Sequence, residues 1–257
     1  MSRTRLSFPL ILGATVLMVA ACERADGGDP PQVLKALESH GFSVVQEFDA
    51  GANLRGFAGI AGQQPVAIYV TPDGNAIVGT RLDAEGRRLD EQRLQDLVAI
   101  PVTDRIWAQL EASTWVLDGR KDASRIVYTF SDPNCPYCNR FWEATRPWVD
   151  SGKVQLRHVL VGMLREDSAT KAAAILGAAD RSAALLENER KFAQGGIRPA
   201  RSVPADVRRM LDDNQNLMRE VGFRGTPGIL YKDAAGLVQR SNGMPQITMM
   251  NTILGPR

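Results

Sequence analysis

The chain has 257 residues, with 31 Lys and Arg against 29 Asp and Glu, two His and three Cys. Arg3 and Arg5, an uncharged apolar run from Phe8 to Ala20, and small residues before Cys22 have the order of an export signal. Its removal as residues 1–21 leaves 29 basic and 29 acidic side chains, and a neutral chain lacks the electrostatic footprint of a nucleic-acid binder.

The apolar run falls short of the about 20 residues that a membrane span needs, and no later stretch is longer. Val19-Ala20-Ala21-Cys22 resembles a bacterial lipobox, which predicts lipid attachment at Cys22. Plain cleavage after Ala21 is the competing outcome; it leaves an exposed free thiol in an oxidising compartment. Residues 22–30 form a polar, Gly-rich leader in either case.

Residues 31–90 read as a small N-terminal domain. Val33, Leu34 and Leu37 make a short helical stripe ended by His40-Gly41, and Phe42 to Phe48 is strand-like. Arg55 to Gly59 is another short strand. Val66 to Thr71 and Asn75 to Thr80 flank Pro72-Asp73-Gly74, a hairpin signal. About 60 residues with few large apolar side chains bury little core, and oligomerisation is one remedy. Residues 91–121 read as a helical linker. Leu94, Leu97, Val98, Ile106 and Leu110 supply a face over Leu94 to Leu117, which Pro101 is expected to divide into two pieces. Asp118 to Asp122 closes it as a polar turn.

Residues 122–257 form the second predicted domain. Arg125 to Phe130 is a β-branched and aromatic strand, Ser131 to Asn134 a turn, and a helix runs from Cys135 to about Trp148. Val154 to Val161 is the next strand, completing a βαβ unit. An Ala- and Leu-rich helical block fills Ser168 to about Glu220. Gly225-Thr226-Pro227 leads into a strand, Gly228 to Tyr231; Leu237 to Arg240 is a further strand, and Gln246 to Leu254 a final short helix.

The chemistry concentrates in Cys135-Pro136-Tyr137-Cys138, which holds two of the three cysteines. At a strand-to-helix junction, Cys135 as N-cap meets free backbone N–H groups and the positive end of the helix dipole, both of which favour thiolate. Pro136 suits the first helical position. Cys138 lies one turn further in, within reach of Cys135 and better shielded. Cys135 is therefore the attacking or attacked sulfur, and Cys138 resolves the mixed disulfide. Half of a zinc site is the bland alternative, but a structural zinc needs four ligands and the only histidines, His40 and His158, are not placed to supply them. A purely structural bridge across so short a loop stabilises little. No cofactor is expected.

Other residues are weighed in the same way. Tyr137 is either a substrate contact or an exposed aromatic at a loop tip. Asp132 is read as ordinary turn composition. His158 shares strand parity with Val154, Leu156 and Leu160, which favours a hydrogen-bonded interior or edge residue over a catalyst. Met244, Met249 and Met250 are read as packing, and Arg181 to Lys191 as a solvated helix face. Thr226-Pro227 gains weight from lying between a helical block and a strand, some 90 residues after the cysteine pair.

Phe130 to Cys138, Phe141-Trp142, Arg146 to Arg157 and Gly225-Thr226-Pro227 together resemble the DsbC/DsbG family of thiol:disulfide interchange proteins in the thioredoxin superfamily, on its DsbG side. The resemblance is dense from about Arg125 to Gly255 and architectural before that. It implies an α+β chain of two domains: a small cystatin-like N-terminal dimerisation domain, a helical linker, and a thioredoxin-like catalytic domain with a helical insertion at about 167–220. It further implies a V-shaped homodimer, a cis Thr226-Pro227 bond beside Cys135, and a DsbD-type membrane reductase that keeps the pair reduced. Pro136, Tyr137, Thr226 and Pro227 would touch an extended client segment, in the manner of strand addition. Family members of the DsbC kind carry an additional structural disulfide that this chain lacks the cysteines to form. The lipobox departs from a freely diffusing exported protein.

Three functional readings follow. The first is a periplasmic isomerase or reductase acting on unfolded or oxidised proteins, including cysteine sulfenic acids. The second is a dithiol oxidase that donates its disulfide, and the third a holdase chaperone that works without its thiols. The last can coexist with the first.

Overall fold

The computed structural model describes residues 30–257 apart from 52 and 63. The stretch read as an export signal and Cys22, read as a lipid-attachment residue, lie outside the described residues. The chain is an α+β protein built on two sheets.

Helix α1 (Gln32–Ser39) stops at His40-Gly41, where Gly41 takes φ +86 and turns the chain into β1 (Phe42–Asp49). Strands β1, β2 (Arg55–Ala61), β3 (Gln64–Val70) and β4 (Ala76–Val78) pair antiparallel in chain order. Side-chain alternation gives this sheet two apolar faces. Phe57, Ile68 and Val70 pack with Leu34 of α1. Ala58, Ile60, Ala67 and Tyr69 pack on the opposite side, against α2 (Glu91–Ala112) through Val98.

Helix α2 corrects one expectation. It is a single 22-residue helix with Pro101 inside it, rather than two pieces. Proline removes one i→i−4 hydrogen bond, and here both flanks are held by packing. Val98 sits in the core of the first sheet, while Ile106 and Leu110 sit in that of the second. A second correction follows directly. The helix ends at Ala112, and Trp115–Asp118 is not helical but a strand, β5, at the edge of the second sheet.

That sheet has the order β5-β7-β6-β8-β9, formed also by β6 (Arg125–Ser131), β7 (Val154–Leu160), β8 (Gly228–Lys232) and β9 (Val238–Asn242). Strands β6 and β7 are parallel and joined by α3 (Pro136–Val149), with Val127 opposite Leu156. All other neighbours run antiparallel. One face packs Tyr128, Phe130, Val159 and Leu230 against α2 and α6 (Ala205–Glu220). The other packs Val127, Leu156, Ile229 and Tyr231 against Phe141 and Trp148 of α3 and against α7 (Met250–Leu254). Helices α4 (Ser168–Leu176) and α5 (Arg181–Arg190), with residues of α6, cover Val116 and Leu160 towards the β5 edge. Among the described residues, no helix is long and apolar enough to cross a membrane.

Candidate active site

Strand β6 delivers the chain to the site. Its end, Ser131, is followed by a tight loop in which Cys135 N donates to Asp132 O at 2.9 Å. Cys135 is the N-cap of α3 with extended backbone (φ −82, ψ 111), and Pro136 opens the helix, where its missing N–H costs nothing. The Cys135 sulfur takes the place of a capping oxygen: it accepts the backbone N–H of Cys138 at 3.1 Å. Cys135 and Cys138 are both free thiols, 2% and 4% exposed. The peptide bond Thr226-Pro227 is cis, and the Cys135 thiol lies 3.4 Å from the carbonyl oxygen of Thr226, donating to it when protonated. The fold thus brings together Cys135, Cys138 and Thr226 from positions 91 residues apart. Tyr137 stands at the rim, 53% exposed, with the Arg140 guanidinium over its ring.

The two sulfurs are electrically unequal. The hydrogen bond between the thiols lowers the Cys135 pKa to about 7. Burial opposes it, and Thr226 and the backbone N–H groups of Cys138 and Tyr137 reinforce it. Thr226 acts twice. Its carbonyl favours the neutral thiol, whereas its hydroxyl is buried without a hydrogen-bond partner and is available to a thiolate. Burial pushes the Cys138 thiol well above its ordinary value, and the neighbouring Cys135 adds to that. One sulfur is set to ionise near neutral pH. The other is held protonated.

The loop before Cys135 is more than a solvated turn. Asp132 is 1% exposed, and its carboxylate accepts four hydrogen bonds, from Asn134 N (2.9 Å), Ser168 Oγ (2.8 Å), Met163 N (2.7 Å) and Leu164 N (3.0 Å). The ordinary-turn reading of Asp132 is corrected accordingly. Behind the helix, Asn139 donates to both Oε2 and the backbone oxygen of buried Glu189, and Asn188 donates to Pro133 O at 3.2 Å. Burial raises the Glu189 pKa. The side-chain bonds that join Asn134 to Ser168 and Asn139 to Glu189 span 34 and 50 residues, so the sequence does not announce them; buried Asn188 and Glu189 also correct the reading of Arg181 to Lys191 as a solvated face.

His158 is interior, as its strand parity implied, at 2% exposed. It pairs with Asp118, which is itself 2% exposed rather than part of a polar turn. Asp118 carries competing influences. Burial pushes its carboxyl up, but His158 and Arg146 prevail and hold it at about 2. His158 Nε2 stands 3.6 Å away, too far for a good hydrogen bond. Arg146 makes two bonds to the carboxylate, so we assign it the larger part. Among the described residues, no group of three or more metal-ligating side chains forms.

The model of the thioredoxin-like domain matches residues 118–255. The thiol:disulfide interchange protein DsbG of Pseudomonas aeruginosa is 42% identical over 247 residues, 96% of each chain. This chain belongs to the DsbG family. DsbG of Escherichia coli is 38% identical over 226 residues, covering 88% of this chain and 91% of its own. A solved DsbG from Helicobacter pylori overlays with a TM-score of 0.41 at 20% identity, covering 77% of this chain and 98% of that one. Membership makes the protein a thiol:disulfide oxidoreductase of the thioredoxin superfamily.

Proposed function

We propose that this DsbG-family protein is a periplasmic disulfide isomerase and reductase working through Cys135 and Cys138. The observation that carries the reading is the geometry of the pair: the Cys135 sulfur caps α3, accepting the Cys138 N–H at 3.1 Å, and lies 3.4 Å from the Thr226 carbonyl with Cys138 buried behind it; the Cys135 pKa is lowered, to about 7, and burial pushes that of Cys138 up. A thiol with a pKa near ambient pH is close to the optimum for attack, since it is both substantially ionised and still nucleophilic.

The steps balance without a cofactor. The Cys135 thiolate attacks one sulfur of a client disulfide; that S–S bond breaks, a mixed disulfide forms, and a client thiolate leaves. In isomerisation, another client thiolate attacks the mixed disulfide and regenerates the Cys135 thiolate, with no net electron transfer. In reduction, Cys138 loses its proton and attacks the Cys135 sulfur. The second client thiolate departs and the pair is left oxidised. A DsbD-type membrane reductase would restore it. With a cysteine sulfenic acid, the first leaving group is hydroxide, released as water.

Thr226, whose carbonyl stands 3.4 Å from the sulfur, and Pro136, Tyr137 and Pro227 are assigned to client binding. Tyr137, Met163 and Leu164 are exposed large apolar side chains, and Met163 and Leu164 are tied to the Asp132 loop. They suit unfolded segments, so a chaperone activity accompanies the redox one. Strand β4 is the edge of its sheet, with Ile77, Val78, Leu82 and Leu89 exposed on or near it. An open edge with apolar side chains is a template for a second copy, which supports a homodimer. Lipid attachment at Cys22 would tether the dimer to a membrane.

Reduced protein should unscramble a misbridged substrate in glutathione buffer, with Cys135 alkylated before Cys138. The protein isolated from cells should have its pair reduced. Recovery of an oxidised pair, together with no isomerase activity, would instead support the oxidase.

A further inference from the structure

Lys171 is a buried cation one element away from the cysteines. It lies in α4 and is 6% exposed, although lysine is rarely found inside unless paired. Its ammonium has three donors, and three acceptors surround it: Asn134 Oδ1 at 2.6 Å, Gly195 O at 2.8 Å and Asp167 Oδ2 at 3.1 Å. Asn134 is the residue immediately before Cys135. Its amide nitrogen uses both protons, on Asp167 Oδ1 at 2.8 Å and Ser168 Oγ at 3.0 Å. Ser168 Oγ also accepts Arg165 N at 3.0 Å and donates to Asp132 Oδ1. Asp132 in turn holds the backbone of Asn134.

This network closes on itself. The Asn134 side chain, the Lys171 ammonium and the Ser168 hydroxyl are all satisfied, and the loop has no slack. A satisfied buried network rigidifies what it holds, and loss of one member leaves others desolvated and unpaired. What it holds is the backbone that presents Cys135 to the helix end, where sulfur meets the N–H of Cys138 at 3.1 Å.

We propose that Lys171 is a positioning residue for the nucleophile: acting through Asn134, the insertion helix α4 sets the reactivity of Cys135. The proposal rests on Cys135 being the attacking thiol. Lys171→Met keeps the apolar stem and removes the charge, leaving Asn134 Oδ1 and Gly195 O without their donor. Asn134 then loosens, and the sulfur loses its fixed approach to the N–H of Cys138.

The test is the pH dependence of Cys135 alkylation by iodoacetamide in the reduced full-length protein, in a cycle of Lys171→Met, Asn134→Ala and the double variant. Wild type should titrate near pH 7. Each single variant should move the midpoint up by about one unit, cutting the rate at pH 7 about fivefold through the smaller thiolate fraction. The double variant should move it no further, because both changes break one path. Ile175→Val, in the α4 core, supplies a comparison that lowers Tm without touching the network; its midpoint should stay at the wild-type value. A folded Lys171→Met protein with an unmoved midpoint overturns the proposal, as do additive shifts in the double variant. Should Lys171→Met fail to fold, an unmoved midpoint in Asn134→Ala overturns it as well. Wild type that alkylates at Cys138 first would defeat the functional reading itself, and this proposal with it.

Discussion

Acidification should weaken the reduced protein relative to its Cys135→Ser variant, and the size follows from the site. In the fold the Cys135 pKa is about 7, against an ordinary 9.0. A folded-state pKa held below the unfolded one stabilises the fold fully above the unfolded value, and the stabilisation fades as pH falls through the folded value. Two units correspond to about 2.7 kcal/mol at most. At pH 8 the folded thiol is mostly ionised and the unfolded one mostly protonated, so the contribution is about 1.4 kcal/mol; at pH 6 it is close to zero. Cys138, pushed upward by burial, remains protonated in both states through this window. The Cys135→Ser protein cancels every other titrating group. Urea unfolding under reductant at pH 6, 7 and 8, extrapolated linearly to water, should show the wild-type advantage growing by about 1.3 kcal/mol across the series. A difference that is flat with pH would show that the Cys135 sulfur is not stabilised as a thiolate.

Further outcomes are expected. Cys135→Ser should reduce isomerase turnover to below about 1% of wild type, because Cys138, the other thiol among the described residues, is buried and held protonated. Cys138→Ser should accumulate mixed disulfides with clients, visible on non-reducing gels. Gly162→Ala places a Cβ 2.6 Å from the backbone of Ala169, which cannot swing aside; a cost of about 1–3 kcal/mol is expected in thermal or urea unfolding. Arg146→Met strands the Asp118 carboxylate, and the loss should be about 2–4 kcal/mol at pH 7, below the fully buried range because Arg146 is partly exposed. The Asp118 carboxyl is held at about 2, against an ordinary 3.8. Its stabilisation is present above pH 4 and lost between about pH 4 and 2, so the penalty of Arg146→Met should shrink over that interval.

Local chemistry wrote much of this protein in plain sight. Pro136 after a cysteine, at the close of the β-branched run Arg125 to Phe130, marked a helix end carrying a thiol, since each of those preferences acts over a few residues. Gly41 and Pro72-Asp73-Gly74 marked their turns for the same reason. Where packing from elsewhere outweighed local preference, the reading failed. Pro101 did not break α2, because two separate cores hold the helix on either side of it. Trp115 to Asp118 became strand β5 because β7 offered an open edge, 40 residues on. Asp118, Asp132 and Lys171 look solvent-bound in the linear chain, as charged residues usually are. Only the folding of α3, α4, β7 and the loops beside them supplied the partners that make their burial tolerable. The thiol that reacts was legible from its neighbours in sequence; how tightly it is held depends on groups that meet it only in space.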